Sequence, residues 1–192
     1  MIKAKVREKY RGLSRQELLD KAYELGFNYE KNAHSCSQST VATFHELLDI
    51  DDIVVKVATS SAAGQAAQAV GTCGGLIGGT IVLDYFFGRP AGDLSYQEFI
   101  QDSEDSLMDA IEVAKLLYDR YVREYGTVIC SHIQAQLFGR HYYLGDPDEV
   151  EKFFNAGGHS DTKKSACHIV GNAARWVMEI LLDKGIIELE HR

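Results

Sequence analysis

Four cysteines, Cys36, Cys73, Cys130 and Cys167, are the residues of this 192-residue chain best suited to redox or metal chemistry. None belongs to a Cys-x-x-Cys pair, the usual mark of a structural zinc site or a ferredoxin-type cluster. What they share is position. Cys36 follows Ser35, Cys73 follows Thr72, Cys130 follows the break at Gly126-Thr127, and Cys167 follows Ser165-Ala166, so each falls near a predicted helix start. Unpaired N–H groups and the positive end of the helix dipole favour an anion there, and the thiolate is both the nucleophile and the metal ligand. The placement predicts lowered thiol pKa values and a converging thiolate site. Three readings are open at this level. One is a metal or cluster held between distant helices. Another is a metal-free thiol–disulfide pair, whose Cα atoms would have to lie within about 7 Å. The last is a non-catalytic helical oligomerisation module whose cysteines only pack.

The stretch from Gly71 to Leu83, "GTCGGLIGGTIVL", sets five glycines around Cys73. In a helix interior each glycine costs about 1 kcal/mol relative to alanine, so five need a reason. Beside Cys73 they let backbone approach bulky sulfide and offer N–H groups to it. Gly71, Gly75 and Gly79 also repeat at Gly-x-x-x-Gly spacing, which suits close packing against an intrachain helix or against a second copy in a homodimer. No residue from Val57 to Leu83 is charged, but Thr59, Ser60, Ser61, Gln65, Gln68, Thr72 and six glycines make it a poor bilayer span. The prediction is a buried central helix and no membrane insertion.

The elements that would position these residues read as helices. Ser14-Arg15-Gln16-Glu17, Ser35-Cys36-Ser37-Gln38 and Ser95-Tyr96-Gln97-Glu98 each have the form of a capping box. Apolar residues at helical spacing follow, the third run reaching Tyr125-Gly126. Asp148–Phe154 reads as a short helix stopped by Gly157-Gly158, and 166–184 as a long final helix stopped by Gly185. Val54–Val57 and Ile186–Leu189 read as edge strands or frayed helix ends. With two prolines and no linker-like segment, the chain is predicted to be all-α, a single-domain helical bundle over 1–192 with the glycine-rich helix at its centre. A net charge of −8 without a basic stripe argues against nucleic acid. The basic start lacks an apolar stretch behind it, so the expected compartment is the cytoplasm, where cysteines serve as ligands or redox thiols before structural disulfides.

Taken together, Cys36-Ser37-Gln38, then Gly71-Thr72-Cys73-Gly74-Gly75-Leu76-Ile77-Gly78, then isolated Cys130 and Cys167, resemble the C_GCAxxG_C_C family of redox-active proteins over about residues 31–182. Gly75 stands where the family usually has alanine. Gln65-Ala66-Ala67-Gln68-Ala69-Val70 replaces a glycine-rich stretch, and the loop 139–162 looks longer than usual. The resemblance implies a mostly helical, dimeric protein. Similar domains occur fused to c-type cytochrome segments, where a cysteine-bound iron–sulfur centre fits electron transfer with a protein partner. Carried over, the ligands of a two-iron or four-iron cluster would be Cys36, Cys73, Cys130 and Cys167. This chain has no Cys-x-x-Cys-His, which excludes covalent haem.

Gly71, Gly74 and Gly75, with His34 two residues before Cys36 and His168 directly after Cys167, are the residues expected to contact the cluster or its ligands. His132, two residues past Cys130, sits on a different helix face from that cysteine. His45, His141, His159 and His191 have no partner that the sequence assigns. The acidic run Asp102, Glu104, Asp105, Asp109 and Glu112 reads as a solvated helix face. No phosphate-binding loop or zinc-protease motif is present, and no catalytic residue is assigned.

Overall fold

The structure is a computed structural model that describes residues 3–160 and 163–189. The Ser14 capping box forms as expected: the Ser14 hydroxyl accepts from the Glu17 amide, and the Glu17 carboxylate accepts in return. It opens α1 (Arg15–Ala33), followed by α2 (Cys36–Leu47), α3 (Asp52–Val57), α4 (Gly74–Phe87), α5 (Gln101–Tyr125), α6 (Cys130–Phe138), α7 (Pro147–Asn155) and α8 (Ala166–Asp183). Among the described residues there is no sheet, only isolated bridges such as Ala4 with Ile187 and Thr72 with Ile129. The fold is all-α, a single-domain helical bundle. No described helix is long and apolar enough to cross a membrane.

Three local expectations shift. Val54–Val57 belongs to α3, and Ile187 contributes a single bridge. Ser35 precedes α2 without a side-chain cap, because its hydroxyl donates to the Thr59 carbonyl instead. Ser95 does accept from the amides of Gln97 and Glu98, but it caps only a turn; α5 starts at Gln101. Residues 161–162 and His191 lie outside the described residues, and with them the end of the 139–162 loop.

One core joins all the long helices, with Phe44, Leu83, Leu117, Met178 and Leu181 fully buried. α4 sits at its centre, against α2 on one side and α5 and α8 on the other. Its glycines divide between those faces. A Cβ on Gly74 would lie 2.3 Å from the Cys36 sulfur, and one on Gly78 would lie 2.3 Å from the Ser37 carbonyl oxygen. A Cβ on Gly75 would meet the Tyr121 hydroxyl at 2.6 Å, and one on Gly79 would meet Leu117 at 2.5 Å. Gly71 lies before the helix. The Gly-x-x-x-Gly spacing is thus used within the chain, on both sides of one helix.

Candidate functional site

All four cysteines do lie at helix starts. Cys36 and Cys130 are the first residues of α2 and α6, Cys73 is the residue before α4, and Cys167 is the second residue of α8. Backbone pairing then brings two of these starts side by side. The Cys73 amide donates to the Val128 carbonyl at 2.8 Å and the Cys130 amide to the Gly71 carbonyl at 2.9 Å, lacing α4 to α6. Gly74, lacking a side chain, leaves room for the Cys36 sulfur from α2.

The result is a cavity of about 70 Å³ lined by Cys36, Cys73 and Cys130. Ile133, Phe138, Leu144, Phe153 and Ile169 give it apolar walls, and Glu30, His34, Gln134 and His159 supply the polar groups. Cys167 is not among its lining residues, although its neighbour Ala166 is. No disulfide joins any two of the four cysteines.

Each cavity sulfur has polar neighbours. The Ala63 amide donates to the Cys36 sulfur at 3.4 Å. The Gln134 side-chain amide donates to the Cys130 sulfur, also at 3.4 Å. The Cys73 thiol points to the Tyr121 hydroxyl at 4.0 Å, and the amides of Gly75 and Leu76 reach the same sulfur.

Ala63 belongs to an unusual segment. Residues 63–67 all have positive φ, including the non-glycines Ala63, Gln65, Ala66 and Ala67, and Ala69 does too. Four of the five lack the freedom that glycine has in this region. The coil is held by its own wide turns, with the Ala69 amide on the Ala63 carbonyl and the Gly71 amide on the Gly64 carbonyl. The Ala69 carbonyl accepts from Ser131 at the start of α6. The coil therefore fixes an amide at Cys36 and the backbone around Cys130 together.

The expected lowering of thiol pKa values does not occur at the cavity. Burial pushes the Cys73 thiol up to about 12, with Cys130 adding to the rise. Burial and the neighbouring Cys36 push Cys130 up to about 12 as well. Cys36 is raised further still, by burial first, then by the Glu30 carboxylate and Cys73. Cys36 and Cys130 keep some exposed surface as residues, yet burial is the largest influence on both thiols. Helix-end amides lower these values by less than desolvation raises them.

The histidines sort clearly. His34 caps α1 in a left-handed conformation and lines the cavity, its Nε2 donating to the Lys31 carbonyl at 3.0 Å. Its ring lies tilted against His159, with centroids 4.4 Å apart, and edges against Phe154. His168 is turned away: its ring nitrogens meet the Tyr23 hydroxyl at 2.7 Å and the Asn172 amide at 3.3 Å, and burial draws its pKa down. Of the glycines singled out, Gly71 holds the Cys130 backbone, Gly74 faces Cys36, and Gly75 faces Tyr121.

Sequence reasoning missed Glu30 and His159. They pair at 3.1 Å with their side chains 3 % and 10 % exposed. Neither residue carries a spacing signal toward a cysteine, since one lies late in α1 and the other in a loop after α7. His34, Ala63, Leu144, Phe153 and His159 also line an open groove outside, so they form the partition between cavity and surface.

Among the described residues no three histidine, cysteine, aspartate or glutamate side chains stand as a ready-made ion cage; the thiols surround a space. An all-α protein with thiols from three helix starts around one apolar-walled cavity is the class that fold and site define. The family model described as "putative redox-active protein (C_GCAxxG_C_C)" matches residues 34–180, and the chain belongs to that family. Membership supports a redox role. No curated protein and no solved structure matches the chain.

Proposed function

We propose that this chain is an electron-transfer protein in which Cys36, Cys73 and Cys130, as thiolates, hold a two-iron or four-iron sulfur cluster. The single observation behind this reading is the meeting of three thiols, from three separate helix starts, on one small cavity. The residues there suit such a group. Gly74 lets the Cys36 sulfur pack close to the start of α4, and the amides of Ala63, Gly75 and Leu76 offer hydrogen bonds to sulfur. The walls are largely apolar, and the Tyr121 hydroxyl lies 4.0 Å from the Cys73 sulfur. A cluster bound there would supply a reversible one-electron couple for exchange with a protein partner in the cytoplasm.

Burial favours the protonated thiols, so a metal-free thiol–disulfide exchange and cluster binding alike must first generate thiolates. Loading a cluster would release those protons, so affinity should rise with pH. The test is purification and reconstitution without oxygen, with absorbance, iron and acid-labile sulfide measured. Coloured protein that loses iron in Cys36→Ser, Cys73→Ser and Cys130→Ser variants is the expected result; colourless, iron-free wild type overturns the reading. A homodimer would cover the half-exposed Ile111 and Tyr118 on α5. Sedimentation of the same protein at several concentrations tests it, and a constant monomer mass refutes it.

A further inference from the structure

Two buried polar atoms, Nδ1 of His159 and Oε2 of Glu30, have no hydrogen-bond partner among the described residues. Both residues line the cavity of Cys36, Cys73 and Cys130. Leaving such atoms unmatched inside a protein is costly, so the chain must gain something by their placement. The other end of the same pair explains the arrangement. His159 Nε2 lies 3.1 Å from Glu30 Oε1. A neutral imidazole that donates through Nε2 carries its lone pair on Nδ1. Histidines that bind metals commonly give their second N–H to a carboxylate, which fixes both ring orientation and tautomer. His159 has that second contact, and its remaining nitrogen is closed to solvent.

We propose that His159 is the fourth ligand position of this cavity, through Nδ1, with Glu30 as the residue that positions its ring. The inference rests on the cluster reading above and changes its ligand set to Cys36, Cys73, Cys130 and His159. Cys167 is the alternative, but it does not line the cavity. His34 is nearer Cys36 in sequence, yet its Nε2 is committed to the Lys31 carbonyl and its ring lies against His159. Charge favours the exchange too. Three thiolates and a neutral imidazole place one negative charge fewer in an apolar-walled site than four thiolates would. A histidine ligand in place of a thiolate also raises the reduction potential of an iron–sulfur centre.

The experiment compares wild type with His159→Ala, His159→Cys, Glu30→Gln and Cys167→Ser, each checked for folding by circular dichroism. Two probes are used without oxygen: ferrous iron with sulfide, and cobalt(II) alone, whose visible spectrum reports the ligand set without any cluster. With ¹⁵N-labelled histidine, pulsed electron paramagnetic resonance of the reduced, iron-loaded wild type should show coupling to one histidine nitrogen. That coupling should vanish in His159→Ala and His159→Cys, while His159→Cys recovers iron content that His159→Ala loses. Glu30→Gln should weaken cobalt binding about tenfold, and Cys167→Ser should behave as wild type. Loading that survives His159→Ala but is lost in Cys167→Ser overturns this ligand assignment and leaves the cluster reading standing. Cobalt bound with a histidine-dependent spectrum but no iron–sulfur uptake supports His159 and overturns the cluster; binding of neither probe overturns both.

Discussion

On either side of Cys73 the chain puts alanine where glycine is easier and glycine where alanine is easier. Upstream, Ala63, Gln65, Ala66 and Ala67 hold a left-handed backbone that costs about 1–2 kcal/mol per L-residue. Downstream, Gly74, Gly75, Gly78 and Gly79 occupy a right-handed helix in which alanine would be about 1 kcal/mol better at each. The two violations have different compensations. In the coil, backbone hydrogen bonds hold the shape: Ala63 gives its amide to Cys36, and the Ala69 and Gly71 carbonyls take the amides of Ser131 and Cys130. In the helix, missing methyl groups let α2 and α5 come close enough to bring Cys36 and Tyr121 to Cys73. Local preference yields in both places to the positioning of sulfur.

Breaking the helix side should have the largest effect. In Gly78→Ala the new methyl meets the Ser37 carbonyl oxygen and the Thr40 Cβ, neither of which can swing aside. A loss of about 3 kcal/mol is expected in denaturant unfolding, at the upper end of overpacking effects. Unchanged or raised stability would mean that α2 is not seated on this glycine.

A second test asks whether the amides supplied by coil and helix overcome burial at the thiols. Folded Cys73 and Cys130 titrate near 12, well above the ordinary thiol value that the unfolded chain would show. Between those values the folded state holds more protons. Its stability is therefore complete below about pH 9 and declines as pH rises toward 12, by up to about 1.4 kcal/mol per pH unit for each such thiol. Melts of the metal-free, reduced protein should show this decline, shallower in Cys73→Ser. Thiols that react with an alkylating agent at neutral pH in the folded state would contradict it.

The coil side should give the smallest effect, of opposite sign. Ala66 is exposed with φ of 48°, so Ala66→Gly removes strain without removing a buried contact. Net of the greater freedom of unfolded glycine, a gain of about 0.5–1 kcal/mol is expected. A loss in thermal melts would show that the coil is not strained at this position.

Helix starts were the legible part of this chain. Ser14 with Glu17 and the stops at Gly126 and Gly185 are short-range signals, read within a turn or two. Ser35 and Ser95 carried the same pattern and misled, because tertiary partners or an intervening turn took over the hydroxyl. The convergence of three cysteines and the separation of Cys167 are set by how α4 and α6 are laced together, which no spacing encodes. His159 illustrates the limit most sharply. Its only marks are a buried carboxylate more than a hundred positions away and an unmatched nitrogen, both visible only after folding. The left-handed coil was equally hidden, since alanine carries no signal for that conformation.

The lacing of Cys73 to Val128 and of Cys130 to Gly71 has a consequence for the order of assembly. The three thiol-bearing helix starts come from the first, middle and last thirds of the chain, each at least 37 residues from the next. The three thiols therefore cannot meet on a chain synthesised only as far as α5: α6 must emerge before Cys36 and Cys73 acquire their third companion. Loop closure over such distances is slow relative to local helix formation. The thiols therefore come together as a late event, protected from premature chemistry by being apart until the bundle closes.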